Sequence, residues 1–302
     1  MPRDSKSLKP RTKLQSFYQL TKPGIVYGNA MHILATALFA AAASGFKPIP
    51  IAGTLVGVSL IIASACVVNC IMDRFADAKM DRTKKRPLPR GEVSVRAAIV
   101  YSLILAAIGV VVILYTANWV VLAAALACHL TYTALYGFVK RRSWVSTMVG
   151  TIPGTLPAVA GYAAIDPTMP LAAWLLALLI LVWQLPHFYA LALYRRDDYA
   201  KSGFPMISVV KSRRTVTNHI IVTALLYGVI ATSLLLYAPI HEVPGIILFG
   251  SAAAWVAYVL TAKQRGSDAW ARKVFGTSLY MPIAILVAGI VALALSVVYN
   301  VQ

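Results

Sequence analysis

The chain has 302 residues, 59% of them hydrophobic and 13% charged, with a net charge of +18. Soluble domains lie nearer half apolar and a quarter charged, so a water-soluble globular fold is excluded and a multi-pass membrane protein is expected. The basic excess implies no nucleic-acid partner, because it is spread between apolar runs.

Nine apolar runs follow in chain order, at roughly 24–43, 50–72, 96–115, 119–138, 146–164, 171–193, 217–238, 243–262 and 277–299, each near the ~20 residues a spanning helix needs. They are rich in Leu, Ala, Val and Ile and lack the alternation of barrel strands. The expected class is an all-α integral membrane protein with nine transmembrane helices. A basic tail, residues 1–16, precedes a single polytopic domain, residues 17–302. No cleavable signal peptide is expected, since no short apolar core with a small-residue cleavage site precedes the first run.

All 28 Lys and Arg except Lys47 lie before the first run or in alternate connections after it. The positive-inside rule makes that face cytoplasmic, with the N-terminus inside and, after nine crossings, the C-terminus outside. Most of these basic residues set topology and attract anionic membrane lipid; the remainder are available to an anionic substrate. Connections on the opposite face are short, whereas those at 73–95 and 194–216 are long and polar, where function is expected. Cys66, Cys70 and Cys128 all fall within predicted helices and are read as packing residues.

The second run ends in Asn69, Asp73, Asp77 and Asp81. A spacing of four places them on one helical face, and carboxylates at the end of a membrane helix are costly enough to suggest function. The sixth run ends in a second cluster, Asp197 and Asp198, with Tyr194 four residues before Asp198 and Lys201 a turn beyond if the helix continues. These two clusters hold half of the chain's 10 acidic residues and are expected on the same face. Two carboxylate sets suit Mg²⁺, which binds through one or two carboxylates and substrate phosphates. A Mg²⁺-bridged diphosphate would reconcile the acids with the neighbouring Lys22, Arg82, Lys84, Lys85, Arg86, Lys140, Arg141 and Arg142. The apolar interior beneath would accept a lipid tail.

The pattern Asn-x₃-Asp-x₃-Asp-x₂-Met-x-Arg-Thr-x₂-Arg-Pro, from Asn69 to Pro87, resembles the signature of the UbiA-type intramembrane prenyltransferases. Ala76 stands where a larger apolar or aromatic residue is usual. A narrower resemblance, to the protohaem IX farnesyltransferase (haem O synthase) branch, covers residues 17–300. It rests on Leu20-Thr-Lys22-Pro23, Lys140-Arg-Arg142, Gly154-x₂-Pro157, Trp183-Gln-x-Pro-His187-Phe and Asp197-Asp-Tyr199-x₃-Gly203-x-Pro-Met206. Ser143-Trp144-Val145-Ser146 departs from the usual Thr-Pro-x-Asn, and Ala158 stands where a second Pro is common.

The resemblance implies a helical bundle around a cavity open to the cytoplasm, in the cell (inner) membrane. It implies farnesyl transfer from farnesyl diphosphate to the 2-vinyl group of haem b, with addition of water, giving haem O. Asn69, Asp73 and Asp77 would form one Mg²⁺ set and Asp198 with Asp197 a second, with Asp81 a ligand or a loop anchor. Lys22, Arg82, Arg86, Lys140, Arg141 and Lys201 would meet diphosphate. Tyr194, Tyr132 and Trp183 are cation-stabilising or packing residues. His187 is the first haem-contact residue, with His32 and His129 behind it, and His219 and His241 are read as structural or solvated. Haem A synthase or terminal-oxidase assembly factors are the implied downstream partners. Two alternatives are prenyl transfer to an aromatic quinone precursor, and a transporter or channel. The second is disfavoured because the acids lie at one face, not near the midplane.

Overall fold

The computed structural model describes residues 11–237 and 242–300, so most of the basic tail and His241 lie outside the described residues. Among those described there are helices and turns and no strand. The amphipathic α1 (Lys13–Leu20) is closed by a capping box in which Thr12 and Gln15 satisfy each other's backbone. It begins inside the tail expected to run to residue 16.

Then come α2 (Pro23–Ser44), α3 (Pro48–Lys79), α4 (Val95–Thr116) and α5 (Trp119–Leu130). A π-helical turn, Thr131–Tyr136, joins α5 to the short α6 (Gly137–Val139). Next are α7 (Ser146–Ala163), α8 (Leu171–Tyr194), α9 (Arg196–Ser202) and α10 (Ile207–Val210). The chain closes with α11 (Arg213–Tyr237), α12 (Glu242–Thr261), α13 (Asp268–Ser278) and α14 (Tyr280–Asn300).

Within the described residues each expected apolar run is helical, the fourth extending over α5, the π-helical turn and α6 and the ninth over the end of α13 and α14. By length and composition, 8 spans among the described residues can cross a membrane, α5–α6 and α13–α14 each counting as one. The fifth run, α7, is outside that count. Its 18 residues include Thr147, Thr151, Thr155, Pro153 and Pro157, and it is largely buried against α2, α5 and α8. An inward-facing helix can carry such polar groups because neighbouring helices satisfy them. Pro157, for example, has no N–H to give the Pro153 carbonyl, and Cys128 Sγ bonds to that oxygen at 3.1 Å.

The helices form a ring: α3 packs on α4, α2 on α7 and α14, α8 on α7, α11 and α13, and α12 on α11 and α14. At the α3–α4 contact a Cβ on Gly109 would lie 2.7 Å from the Gly57 carbonyl oxygen, so only glycine permits this approach. Asn118 caps α5 through the amides of Val120 and Val121 and donates to the Ala163 carbonyl at 2.7 Å, tying α5 to the end of α7. Side chains such as Leu103, Leu114 and Val229 are exposed on the ring's outside, an apolar surface suited to lipid. The described residues therefore form a multi-pass membrane protein.

Candidate functional site

Three of the four aligned polar residues at the end of α3 are buried: Asn69 is 2% exposed, Asp73 8% and Asp77 2%. Each meets a cation from a different segment. Lys22, between α1 and α2, donates to Asn69 Oδ1. It does so from a left-handed backbone with φ 50°, a strained conformation for a non-glycine residue. Lys140, just after α6, donates to Asp73 Oδ2 at 2.6 Å, and Arg141 reaches Asp73 Oδ1 at 3.4 Å. Arg86, in the α3–α4 connection, donates to Asp77 Oδ2 at 2.7 Å.

Asn69 Nδ2 has no partner, so a buried donor is left for a ligand oxygen. Burial pushes the Lys140 ammonium below its usual range, against the pull of Asp73. Burial also opposes the Arg86 charge, but Asp77 outweighs it and raises the guanidinium.

Asp81 departs from the expected face. Helix α3 ends at Lys79, Met80 is extended and buried, and the next turn bonds back to the Met80 carbonyl. Asp81 is thereby exposed. It accepts from Lys84 and Lys201, each at 2.6 Å, and those two bonds hold its carboxyl down to about 2. The Asp81 backbone N–H also donates to Asp198 Oδ1 at 3.3 Å. Asp81 thus behaves as the anchor joining the two long loops.

The face expected through Tyr194, Asp198 and Lys201 is also interrupted. Arg195, with φ −108° and ψ 20°, ends α8 and starts α9 in a new direction. Asp198 is half-buried against the Asp81 loop, whereas Asp197 and Arg82 are exposed and make no ion pair among the described residues. No group of three His, Cys, Asp or Glu side chains there encloses an ion.

A cavity of about 370 Å³ opens beneath this cationic rim. Tyr132, Tyr136 and Tyr199 line its upper part, and Lys140 Nζ lies 5.2 Å from the Tyr136 ring. Deeper, it meets His32, Trp183, His187 and Cys66. Gln184 forms part of the wall, its Nε2 donating to Thr151 O at 3.3 Å and Thr155 Oγ1 at 3.2 Å. Gly154 faces that amide, and any Cβ there would overlap Gln184 Oε1.

Tyr194 does not line the cavity; its ring packs 5.6 Å from Phe275 with Arg272 over it. Tyr136 and Tyr199 occupy the place expected of it. Both had a signal in the sequence: Tyr136 lies one turn before Lys140, and Tyr199 directly follows the Asp pair. His129 is bonded to Ser64, and His219 to the Thr215 carbonyl, so both are satisfied outside the cavity.

The family model described as UbiA prenyltransferase family matches residues 30–281. Protoheme IX farnesyltransferase 1 of Shewanella frigidimarina is 34% identical over 276 residues, covering 89% of this chain and 89% of its own length. Protoheme IX farnesyltransferase of Marinomonas sp. is 34% identical, covering 90% of this chain and 92% of its own length. Among solved structures, a UbiA homolog from Archaeoglobus fulgidus bound to DMAPP and Mg²⁺ superposes with TM-score 0.71 at 15% identity, covering 92% of this chain and 99% of that chain. A digeranylgeranylglyceryl phosphate synthase superposes with TM-score 0.76 at 17% identity, covering 93% of this chain and 99% of that chain. At these identities the two structures share the fold.

Proposed function

This chain belongs to the UbiA prenyltransferase family, and from that premise we propose that it is a protohaem IX farnesyltransferase, converting haem b and farnesyl diphosphate to haem O. The observation that carries the reading is the cationic rim of Lys22, Arg86, Lys140 and Arg141 above an apolar cavity lined by two imidazoles. The rim suits the diphosphate, and the cavity suits both the prenyl chain and a flat apolar acceptor.

In the reaction the C1–O bond of farnesyl diphosphate breaks and diphosphate leaves with the electron pair. The acceptor's vinyl π electrons form the new C–C bond, and the cation left beside the macrocycle takes up water and releases a proton. The rim residues stabilise charge on the departing diphosphate, Arg by a planar fork and Lys as a point charge. Tyr132, Tyr136 and Trp183 present aromatic faces to the allylic cation, each contributing roughly 0.5–2 kcal/mol. The apolar walls keep bulk water from quenching it.

The donor set fits Mg²⁺. It offers oxygen ligands alone, from Asn69, Asp73 and Asp77 on α3 and Asp198, with Asp197, across the loop. Because no three carboxylates converge among the described residues, phosphate oxygens would complete the coordination shell, as Mg²⁺ commonly requires. When bound, the ion supplies further charge stabilisation on the diphosphate. The rim faces the cytoplasm and the C-terminus lies outside, in the cell (inner) membrane, and haem A synthase or terminal-oxidase assembly factors receive the product.

Expression in a host lacking haem O synthase tests the reading. Extracted haem should gain the mass of a farnesyl group plus a hydroxyl group. A well-inserted chain that leaves haem b unshifted overturns it, and label from farnesyl diphosphate appearing on an aromatic quinone precursor would replace it with that acceptor.

A further inference from the structure

A second cavity lies apart from the first, on the outer surface of the ring at its rim end. It is a shallow groove of about 480 Å³ between the end of α3 and the π-helical turn with α6. Met72 comes from α3, Ala134, Gly137 and Phe138 from the opposite side, and Arg141 and Arg142 from the chain just after α6. At Gly137 the two sides touch, since a Cβ there would lie 2.8 Å from Met72 Cε.

The π-helical turn shapes what leads into the groove. Leu126, Leu130, Leu135 and Phe138 are all exposed. Leu130 and Leu135 are five residues apart, a step that would carry a side chain well round an α-helix. The wider repeat of a π-helix, bonded i to i+5, keeps them close to one line. An apolar track therefore runs along α5 and ends at Phe138.

Two exposed guanidiniums stand at the head of this track. Arg142 lies 3.7 Å from the centre of the Phe138 ring, and its Nη1 donates to the Phe138 carbonyl at 3.3 Å. Arg142 makes no ion pair among the described residues. Arg141 Nη2 donates to the Met72 carbonyl at 2.6 Å and reaches Asp73 Oδ1 at 3.4 Å. Each keeps further donors free, because a guanidinium carries five N–H groups.

We infer that this groove binds one anionic phospholipid, with its phosphate on Arg141 and Arg142 and an acyl chain along Leu135, Leu130 and Leu126. For this the chain needs only its place in a membrane, whatever acceptor it prenylates. The planar fork of arginine matches phosphate oxygens, and the Phe138 ring holds one fork in place before a lipid arrives. A headgroup of net negative charge is favoured over choline, whose ammonium would stand beside two cations. General attraction of basic residues to an anionic surface is spread over a whole membrane face. Here held donors and an apolar track coincide, which makes a discrete site. Arg141 also meets Asp73, so the lipid and the buried acidic wall share a residue.

The test is a titration of the full-length protein in detergent with phosphatidylglycerol or phosphatidylcholine, the retained lipid being counted by native mass spectrometry. Wild type should keep one phosphatidylglycerol in preference to phosphatidylcholine. R142Q should weaken that retention about fivefold, the order one basic residue contributes at an anionic membrane surface. R214Q removes another exposed arginine without an ion pair among the described residues, and should retain lipid like wild type. A134W fills the groove without changing its charge and should abolish the preference. Equal losses in R142Q and R214Q would reveal diffuse attraction and overturn the site. So would unchanged retention in A134W, or equal retention of the two lipids by wild type. Displacement of the lipid by inorganic phosphate at matched concentration would mark a site for free anions and overturn it as well.

Discussion

Replacing Asp73 with Ala removes the carboxylate that meets Lys140 at 2.6 Å. Lys140 is 3% exposed, so the substitution strands a buried ammonium. Breaking a buried pair by removing one partner costs about 3–5 kcal/mol. A second route gives the same ceiling. Lys140 can shed its proton, and from an ordinary value of 10.5 this costs about 5 kcal/mol at pH 7, at ~1.4 kcal/mol per pH unit. In the variant the folded state holds that proton less tightly than the unfolded chain does, so stability rises with pH. The deficit should shrink by roughly 2–3 kcal/mol between pH 7 and pH 9. Asp73→Ala combined with Lys140→Met removes both charges and should recover most of the stability while prenyl transfer remains lost. Thermal unfolding of the detergent-solubilised protein at the two pH values, with turnover measured in parallel, checks all of this. A deficit that ignores pH and is not relieved by Lys140→Met would refute the argument.

Arg86→Gln should lower stability by about 3–5 kcal/mol, since Asp77 is left buried without its cation. It should also raise KM for farnesyl diphosphate, with Arg86→Lys falling between; a Gln variant with wild-type stability and KM would remove Arg86 from the rim. Gly161→Ala places a Cβ against the Ile33 carbonyl oxygen and must part α2 from α7, at about 1–3 kcal/mol. Gly276→Ala, with open space around it, is the control for the same unfolding assay. The Asp81 carboxyl is depressed to about 2, so its clamp to Lys201 is present above the ordinary value of 3.8 and lost only as pH falls through about 2. Asp81→Asn should therefore lower kcat/KM without changing the shape of the pH profile between pH 5 and pH 8, and a wild-type acid limb that disappears in the variant would count against the clamp. Mn²⁺, used as a spectroscopic stand-in for Mg²⁺, should bind weakly alone and tighten with a non-hydrolysable farnesyl diphosphate analogue; equal affinity with and without the analogue would show a protein-only metal site.

The spacing of Asn69, Asp73 and Asp77 was readable because a regular helix converts a four-residue period into a shared face. Asp81 continues the period in sequence but not in space, since the chain leaves the helix at Met80 with no Gly or Pro to mark the exit. The break at Arg195 was hidden for the same reason. The pairing of each polar residue with its own cation was not legible, because Lys22, Arg86 and Lys140 come from three connections whose approach depends on tertiary packing. Tyr194 lies four residues before Asp198 in sequence, yet the turn at Arg195 sets it against Phe275 and leaves the cavity to Tyr136 and Tyr199. The apolar runs located the helices, but α7 shows what hydropathy alone misses. A helix that lines a cavity can be short and polar, since its Thr and Pro residues find partners in its neighbours.

The one-to-one pairing of polar residues with cations bears on how such a site can be stable before any substrate arrives. Successive members of a four-residue period are about 6 Å apart along a helix axis, and Mg²⁺–oxygen distances are only about 2.1 Å. Asp73 and Asp77 each lean on a separate cation, Lys140 and Arg86, which keeps their charges compensated within the buried wall. Two uncompensated carboxylates there would repel one another and raise their affinity for protons. On the proposed reading, the same cations would stand beside the carboxylates when a diphosphate enters. A single set of ion pairs would thereby answer two demands, charge balance within the buried wall and anion recognition when a diphosphate binds. Among the described residues, the Asn69 amide, the His32 imidazole and the Thr147 hydroxyl are buried polar groups on this path without a partner. The first lies at the rim, and the other two line the apolar chamber beneath it.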